Sequence, residues 1–178
     1  TDTASLSTDE SNNLQTYINK DYGFSFKYPS TWSGQINKTN NGAIQRLLQF
    51  DISPNKSFFQ SFLGAHISIM LINDQDSPTD WYKKNIDLGP FETSSTNEVQ
   101  YESKNLTING YKTFYVKQTT SSYTDNTYVL SDGKDYIVYM TFRESEKHYS
   151  TNGTIDQSND YSQYLPVFSQ IVNSIEFN

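Results

Sequence analysis

Two imidazoles, a short run of carboxylates and a spread of tyrosines are the side chains of this 178-residue chain with chemistry to offer. His66 lies in a stretch where Ala65, Ile67, Ile69 and Leu71 face one way and His66, Ser68 and Met70 the other. An imidazole on that polar-leaning side is able to ligate a metal or accept a proton. His148 follows the charged run Arg143-Glu144-Ser145-Glu146-Lys147. Neither histidine belongs to an HExxH motif, an i,i+4 pair or a His–carboxylate spacing that would hold zinc, so structural or solvated roles are expected for both. Asp74, Asp76 and Asp80 gather oxygen ligands of a kind calcium accepts, but the glycine and distal glutamate of an EF-hand loop are missing. An acidic helix start stabilised by the macrodipole accounts for the same three residues. No G-x-S-x-G elbow accompanies the serines. Glu92, Glu98, Glu102, Glu144 and Glu146 are the acid candidates for a paired-carboxylate hydrolase, and all sit in polar contexts that read as solvated. No catalytic residue, no metal and no cofactor is expected.

Aromatic side chains are the more promising material, with 14 Tyr and 11 Phe in the chain. Trp32, Trp81, Tyr111, Tyr115, Tyr123 and Tyr149 are candidates for an exposed platform that binds glycans or peptides. Core packing, with hydroxyls at a sheet rim, is the competing use of the same rings. Trp32, Tyr111, Tyr115, Tyr123 and His66 are the ligand-binding candidates carried forward; Asp74, Asp76 and Asp80 are the metal candidates. Sequons stand at Asn37, Asn55, Asn105 and Asn152, as a Ser-, Thr- and Asn-rich chain produces by chance.

Composition removes several classes of function. Cysteine is absent, which excludes disulfides, thiolate metal sites and a catalytic thiol. A formal net charge of −7 opposes a nucleic-acid partner. No apolar run is long enough to span a bilayer. Lysine dominates, with arginine only at Arg46 and Arg143, and the polar surface fits an extracytoplasmic address.

The elements that must position these residues are mostly strands. Residues 1–15 are small and polar and read as a flexible tail or linker, a spacer behind a removed signal or anchor; residues 16–178 read as one domain. Phe24, Phe26 and Tyr28 alternate on one strand face, and Pro29 closes that strand with a turn to Trp32. Ile44, Leu48, Phe50 and Ile52 share a face of another strand. Asn109-Gly110 and Asp132-Gly133 mark two hairpins of type I′ within an antiparallel meander running from Val99 to Phe142. Ser77-Pro78-Thr79-Asp80 opens a short helix, ending by Gly89-Pro90, with an N-cap and a first-turn proline. Leu165, Phe168, Ile171 and Val172 predict an amphipathic C-terminal helix starting near Tyr164. The pattern predicts an α+β domain: an antiparallel sheet of about six strands flanked by helices.

Three segments together resemble the PsbP-like family. Gly23-Phe24-Ser25-Phe26-Lys27-Tyr28-Pro29-Ser30-Thr31-Trp32 is similar to its opening GFSFxYPxxW signature, Tyr136 to Phe142 to its strand before the last helix, and Phe168 to Phe177 to its closing segment. The resemblance implies an α/β/α sandwich of the Mog/PsbP-like type. Its bacterial and archaeal members are often lipoproteins or anchored proteins, and nothing in this chain matches the binding residues of the photosystem members. The expectation is a monomeric, non-enzymatic, extracytoplasmic domain acting on a protein partner at the cell envelope. The alternatives are a glycan or small-ligand module using exposed aromatics and a carboxylate hydrolase.

Overall fold

The structure, a computed structural model, describes residues 4–9, 13–37, 46–54, 65–86, 99–150 and 153–178. Its first three strands form a small sheet: β1 (Ala4–Asp9), β2 (Leu14–Asn19) and β3 (Phe24–Pro29) run antiparallel in that order. The last strand, β12 (Glu176–Phe177), pairs with the free side of β3. Where a polar tail to residue 15 is expected, Leu14 and Gln15 already belong to β2 and Leu14 is buried, while Ala4–Asp9 lie in register beside β2. Leu14 pairs with Pro29 at the open end of β3, and an apolar side chain there is worth more in the core than in water. Pro29 ends β3 as expected, and the Trp32 amide donates to its carbonyl at 3.0 Å, closing the turn.

The remaining strands build a large sheet. β4 (Ser33–Asn37), β5 (Arg46–Ser53), β6 (Ile67–Asn73), β10 (Tyr136–Tyr149), β9 (Tyr123–Ser131), β8 (Tyr111–Thr119) and β7 (Gln100–Ile108) follow one another across it. β11 (Ile155–Asp160) pairs with the C-terminal half of β10. The architecture is the expected α+β one, with twelve strands in two sheets among the described residues in place of about six in one. The difference comes from short polar strands such as β4 and β11, whose sequences carry no alternating apolar face.

Both faces of the large sheet are covered, and alternation divides the residues between them. Leu71, Leu130, Val138, Met140 and Phe142 meet Phe24, Phe26 and Tyr28 of the small sheet and helix α2 (Leu165–Val172) in the main core. Their sequence neighbours Ile72, Val129 and Ile137 point the other way, under helix α1 (Pro78–Asn85) with its Trp81 and Tyr82. Helix α1 starts as its sequence predicts: the Ser77 side chain accepts from the Asp80 amide and Pro78 occupies the first turn. It ends at Asn85; the expected boundary at Gly89-Pro90 falls outside the described residues. A 3-10 turn (Ser162–Tyr164) leads into α2, which buries Phe168, Ile171 and Val172.

The two hairpins form with different turns. Asn109 and Gly110 have φ of 52° and 83°, as a two-residue type I′ turn needs, and Ile108 pairs with Tyr111. Between β9 and β10 the loop has four residues, Asp132 to Asp135, rather than a two-residue type I′ turn. Asp132 Oδ1 accepts from the amides of Lys134, Asp135 and Tyr136, at 2.9, 3.1 and 3.0 Å, which stabilises the wider loop. Gly23 sits where the small sheet closes, with φ of 58°. A Cβ there would lie 2.5 Å from the Asn178 carbonyl oxygen, so only glycine allows β12 to reach β3.

Candidate functional site

Four strands of the large sheet bring one residue each into a single cross-strand row. Tyr101 of β7 is opposite Gln118 of β8, Gln118 opposite Asp125 of β9, and Asp125 opposite Arg143 of β10. Directly opposed residues point to the same face, so the four side chains line up across the sheet beyond α1. Arg143 donates Nε to Asp125 Oδ1 at 2.8 Å and an Nη to Oδ2 at 3.0 Å, a bidentate fork. Its guanidinium lies over the Tyr123 ring, 4.6 Å from the centroid. Gln118 Nε2 reaches the hydroxyls of Tyr123 at 3.4 Å and Tyr101 at 3.5 Å, and Tyr101 is 50% exposed. Hydrogen bonding to Asp125 raises the Arg143 pKa, so the guanidinium is always charged.

A register shift between Arg143 and Ser145 inserts Glu144 as an extra residue in β10. Glu144 faces Lys117, whose ammonium lies at 2.8 Å, and accepts from Asn126 Nδ2 at 2.9 Å. Asn126 in turn accepts from the Tyr115 hydroxyl at 2.8 Å, and the Tyr115 and Tyr128 rings are 4.8 Å apart. Glu146 accepts from the Tyr161 hydroxyl at 3.0 Å and Asn159 at 3.2 Å, with His148 Nε2 at 3.4 Å. The sequence reads Glu144 and Glu146 as solvated; the structure sets both in hydrogen-bonded networks at 19% and 17% side-chain exposure.

Their protonation decides what this region can do. Burial raises the Glu144 pKa, but hydrogen bonds from Lys117 and Asn126 outweigh it and leave the carboxyl below its usual range. Burial likewise acts upward on Glu146, and its bonds from Tyr161, Asn159 and His148 bring it below normal. Burial pushes the Tyr115 and Tyr161 phenols up to about 12. Both glutamates are thus favoured as carboxylates and both phenols in their protonated form, each tied to a hydrogen-bond partner in the network. The arrangement is one of fixed charges and rings. Because each glutamate binds protons more weakly when folded, its stabilisation is present above the ordinary carboxyl range and is lost as pH falls through the depressed value. The melting temperature should therefore fall more steeply from about pH 5 to 3 in the wild type than in a Glu144→Gln/Glu146→Gln variant. Parallel curves would show that these carboxyls titrate normally.

The other candidates scatter. Trp32 and Trp81 are 8% and 1% exposed, so both are core residues and not parts of a platform. Trp32 meets Tyr164 edge-on at 5.3 Å, and Trp81 meets Tyr139 at 5.5 Å. The Tyr111 hydroxyl accepts the Phe177 amide at 3.0 Å, tying β8 to the chain end. Tyr115 and Tyr123 lie on opposite faces of the sheet, so no single surface presents both. The Tyr149 side chain, Glu92 and Glu98 lie outside the described residues. His66 is half-buried on the face of Ser68 and Met70. Asp74 accepts the Asp76 amide at 2.9 Å, Asp76 pairs with Lys84 at 2.9 Å, and Asp80 is bound by Ser77. Among the described residues no three His, Asp or Glu converge as a metal site. A groove of about 390 Å³ between the start of α1 and the β7–β8 hairpin has Pro78 and Leu106 among its lining residues as well as Ser77, Thr79, Asn105 and Lys112. Sequence reasoning missed Tyr101, Gln118, Asp125 and Arg143, whose common signal is strand register and no motif.

No described helix is long and apolar enough to cross a membrane. No family model matches the chain, and no curated protein does. Among solved structures, the chain is similar to the solution structure of cyanobacterial PsbP (CyanoP) from Synechocystis sp. PCC 6803, over 93% of both chains, with a TM-score of 0.55 and 12% identity. A crystal structure of a protein from Bacteroides thetaiotaomicron VPI-5482 matches 92% of this chain and 48% of its own, at a TM-score of 0.42 and 14% identity. The likeness to the cyanobacterial protein extends over the whole sandwich while almost no side chains are shared, and it identifies the architecture: this chain has the PsbP-like fold.

Proposed function

We propose that the protein is a non-enzymatic, extracytoplasmic PsbP-like domain that works by binding a protein partner at the cell envelope. The observation that carries this reading is the Tyr101–Gln118–Asp125–Arg143 row with Tyr123 beside it. Tyrosine and arginine are the residue types enriched at binding hot spots. Here Arg143 is held by Asp125 and Tyr123 before any partner arrives, so little side-chain freedom is left to lose on binding. The ionised glutamates and protonated phenols nearby speak for recognition over acid–base chemistry. The polar, cysteine-free composition, in which lysine dominates arginine, supports the extracytoplasmic address. The small-ligand alternative has one feature in its favour, the groove beside α1, whose lining mixes polar and apolar side chains. A photoreactive residue at position 101, introduced in the native host, tests the main reading. It should crosslink one envelope protein that a probe at Lys134, in the β9–β10 loop, does not reach. Equal labelling at both positions, or none at 101, would contradict it.

A further inference from the structure

Among the described residues β7 is an edge of the large sheet, and Gln100 through Asn105 are exposed one after another. Natural edges are blunted by prolines, bulges or isolated charges that repel a second strand. β7 has no proline, and its nine residues pair with β8 without a register shift. Its charges, Glu102 and Lys104, have opposite sign and lie two residues apart on one face. Lys117, the residue opposite Glu102, is committed to Glu144 at 2.8 Å. Lys104 lies over the Tyr115 ring at 5.1 Å, an arrangement that leaves ammonium donors for another acceptor.

The turn also fixes which backbone groups are free. Ile108 and Tyr111 close a two-residue hairpin as a hydrogen-bonded pair, and such pairs alternate along the ladder. Even-numbered residues of β7 therefore bond to β8, and Tyr101, Ser103, Asn105 and Thr107 direct their N–H and C=O groups outward. An antiparallel copy of the same strand centred on Ser103 matches these groups: Ser103 faces Ser103, and Tyr101 faces Asn105. The same register sets Glu102 opposite Lys104 in the close, non-hydrogen-bonded positions.

We propose that β7 is a self-complementary docking edge that pairs antiparallel with β7 of a second copy of this chain. The pairing is centred on Ser103, with Glu102 of each copy facing Lys104 of the other. The twofold axis then runs through the sheet, and the two large sheets become one. The pairing is argued from the strand edge and its charges alone, so this inference does not rest on the function proposed above, and it departs from the monomer expected from the sequence.

Sedimentation of the purified full chain should show a monomer–dimer equilibrium. Ser103→Pro removes an outward amide that β8 does not use, so it should leave the thermal melt intact and abolish the dimer. Glu102→Lys and Lys104→Glu should each weaken dimerisation about tenfold or more, because like charges then meet directly across the junction. The double variant Glu102→Lys/Lys104→Glu should regain it, and an equal mixture of the two single variants should form the heterodimer. A wild type that stays monomeric at every soluble concentration overturns the proposal. So does a dimer indifferent to Ser103→Pro, or one that the double exchange fails to restore.

Discussion

Phe168→Ala is expected to lower stability by roughly 3–5 kcal/mol, the range for removing a buried Phe from a packed core. Phe168 is 2% exposed and its ring lies 5.5 Å from both Phe142 and Tyr128, so it joins α2 to β9 and β10 at once. Domains of this size have about 5–15 kcal/mol in total, so the variant should melt far below the wild type or be poorly soluble. Ser169→Ala, one residue on and exposed, should change stability by less than about 0.5 kcal/mol. Equal melts for the two variants would mean that α2 does not hold the main core together.

Trp81→Ala probes the opposite face with an effect of similar size, roughly 3–5 kcal/mol. Trp81 is 1% exposed and is the largest fully buried side chain of the chain. It packs with Ile72, Phe114, Val116, Val129 and Ile137, all of which turn away from the main core. The exposed Lys83, on the same helix, should tolerate alanine within about 0.5 kcal/mol. Chemical denaturation reads both variants. A Trp81→Ala midpoint near that of the wild type would show that α1 adds little to the fold and that this sheet face is stable without it.

How far the sequence carries depends on which interaction sets each element. Alternation places Phe24, Phe26 and Tyr28, or Ile67, Ile69 and Leu71, because side chains of period two need only one buried face to declare themselves. Ser77 with Pro78, and Asn109 with Gly110, are legible because local backbone chemistry decides them. β4 and β11 are not, since polar strands paired along a sheet carry no such pattern. The division into two sheets is also silent, because strand partners are chosen by tertiary packing.

The candidate site was half legible for the same reason. The Asn109-Gly110 turn alone places Tyr101 opposite Gln118. Arg143 depends on the β9–β10 register, and a two-residue Asp132-Gly133 turn would put it opposite Ser122 rather than Asp125. The wider loop, held by the Asp132 carboxylate, moves the register by an odd number of residues and so changes the face each side chain occupies. Trp32 and Trp81 went the other way: their size suits a binding platform equally well, and only packing assigns them to the two cores.

The proposed function stands most directly on the cross-strand row, and Tyr101 is its exposed member, the one that can be removed without disturbing the fold, since half its surface is in water. The decisive measurement is the affinity of the purified chain for the envelope protein crosslinked from position 101, compared between wild type and Tyr101→Ala. Loss of a hot-spot tyrosine removes about 2 kcal/mol or more, so Kd should rise at least about thirtyfold while the thermal melt stays unchanged. An unchanged Kd would contradict the account and take the partner surface away from this face of the sheet.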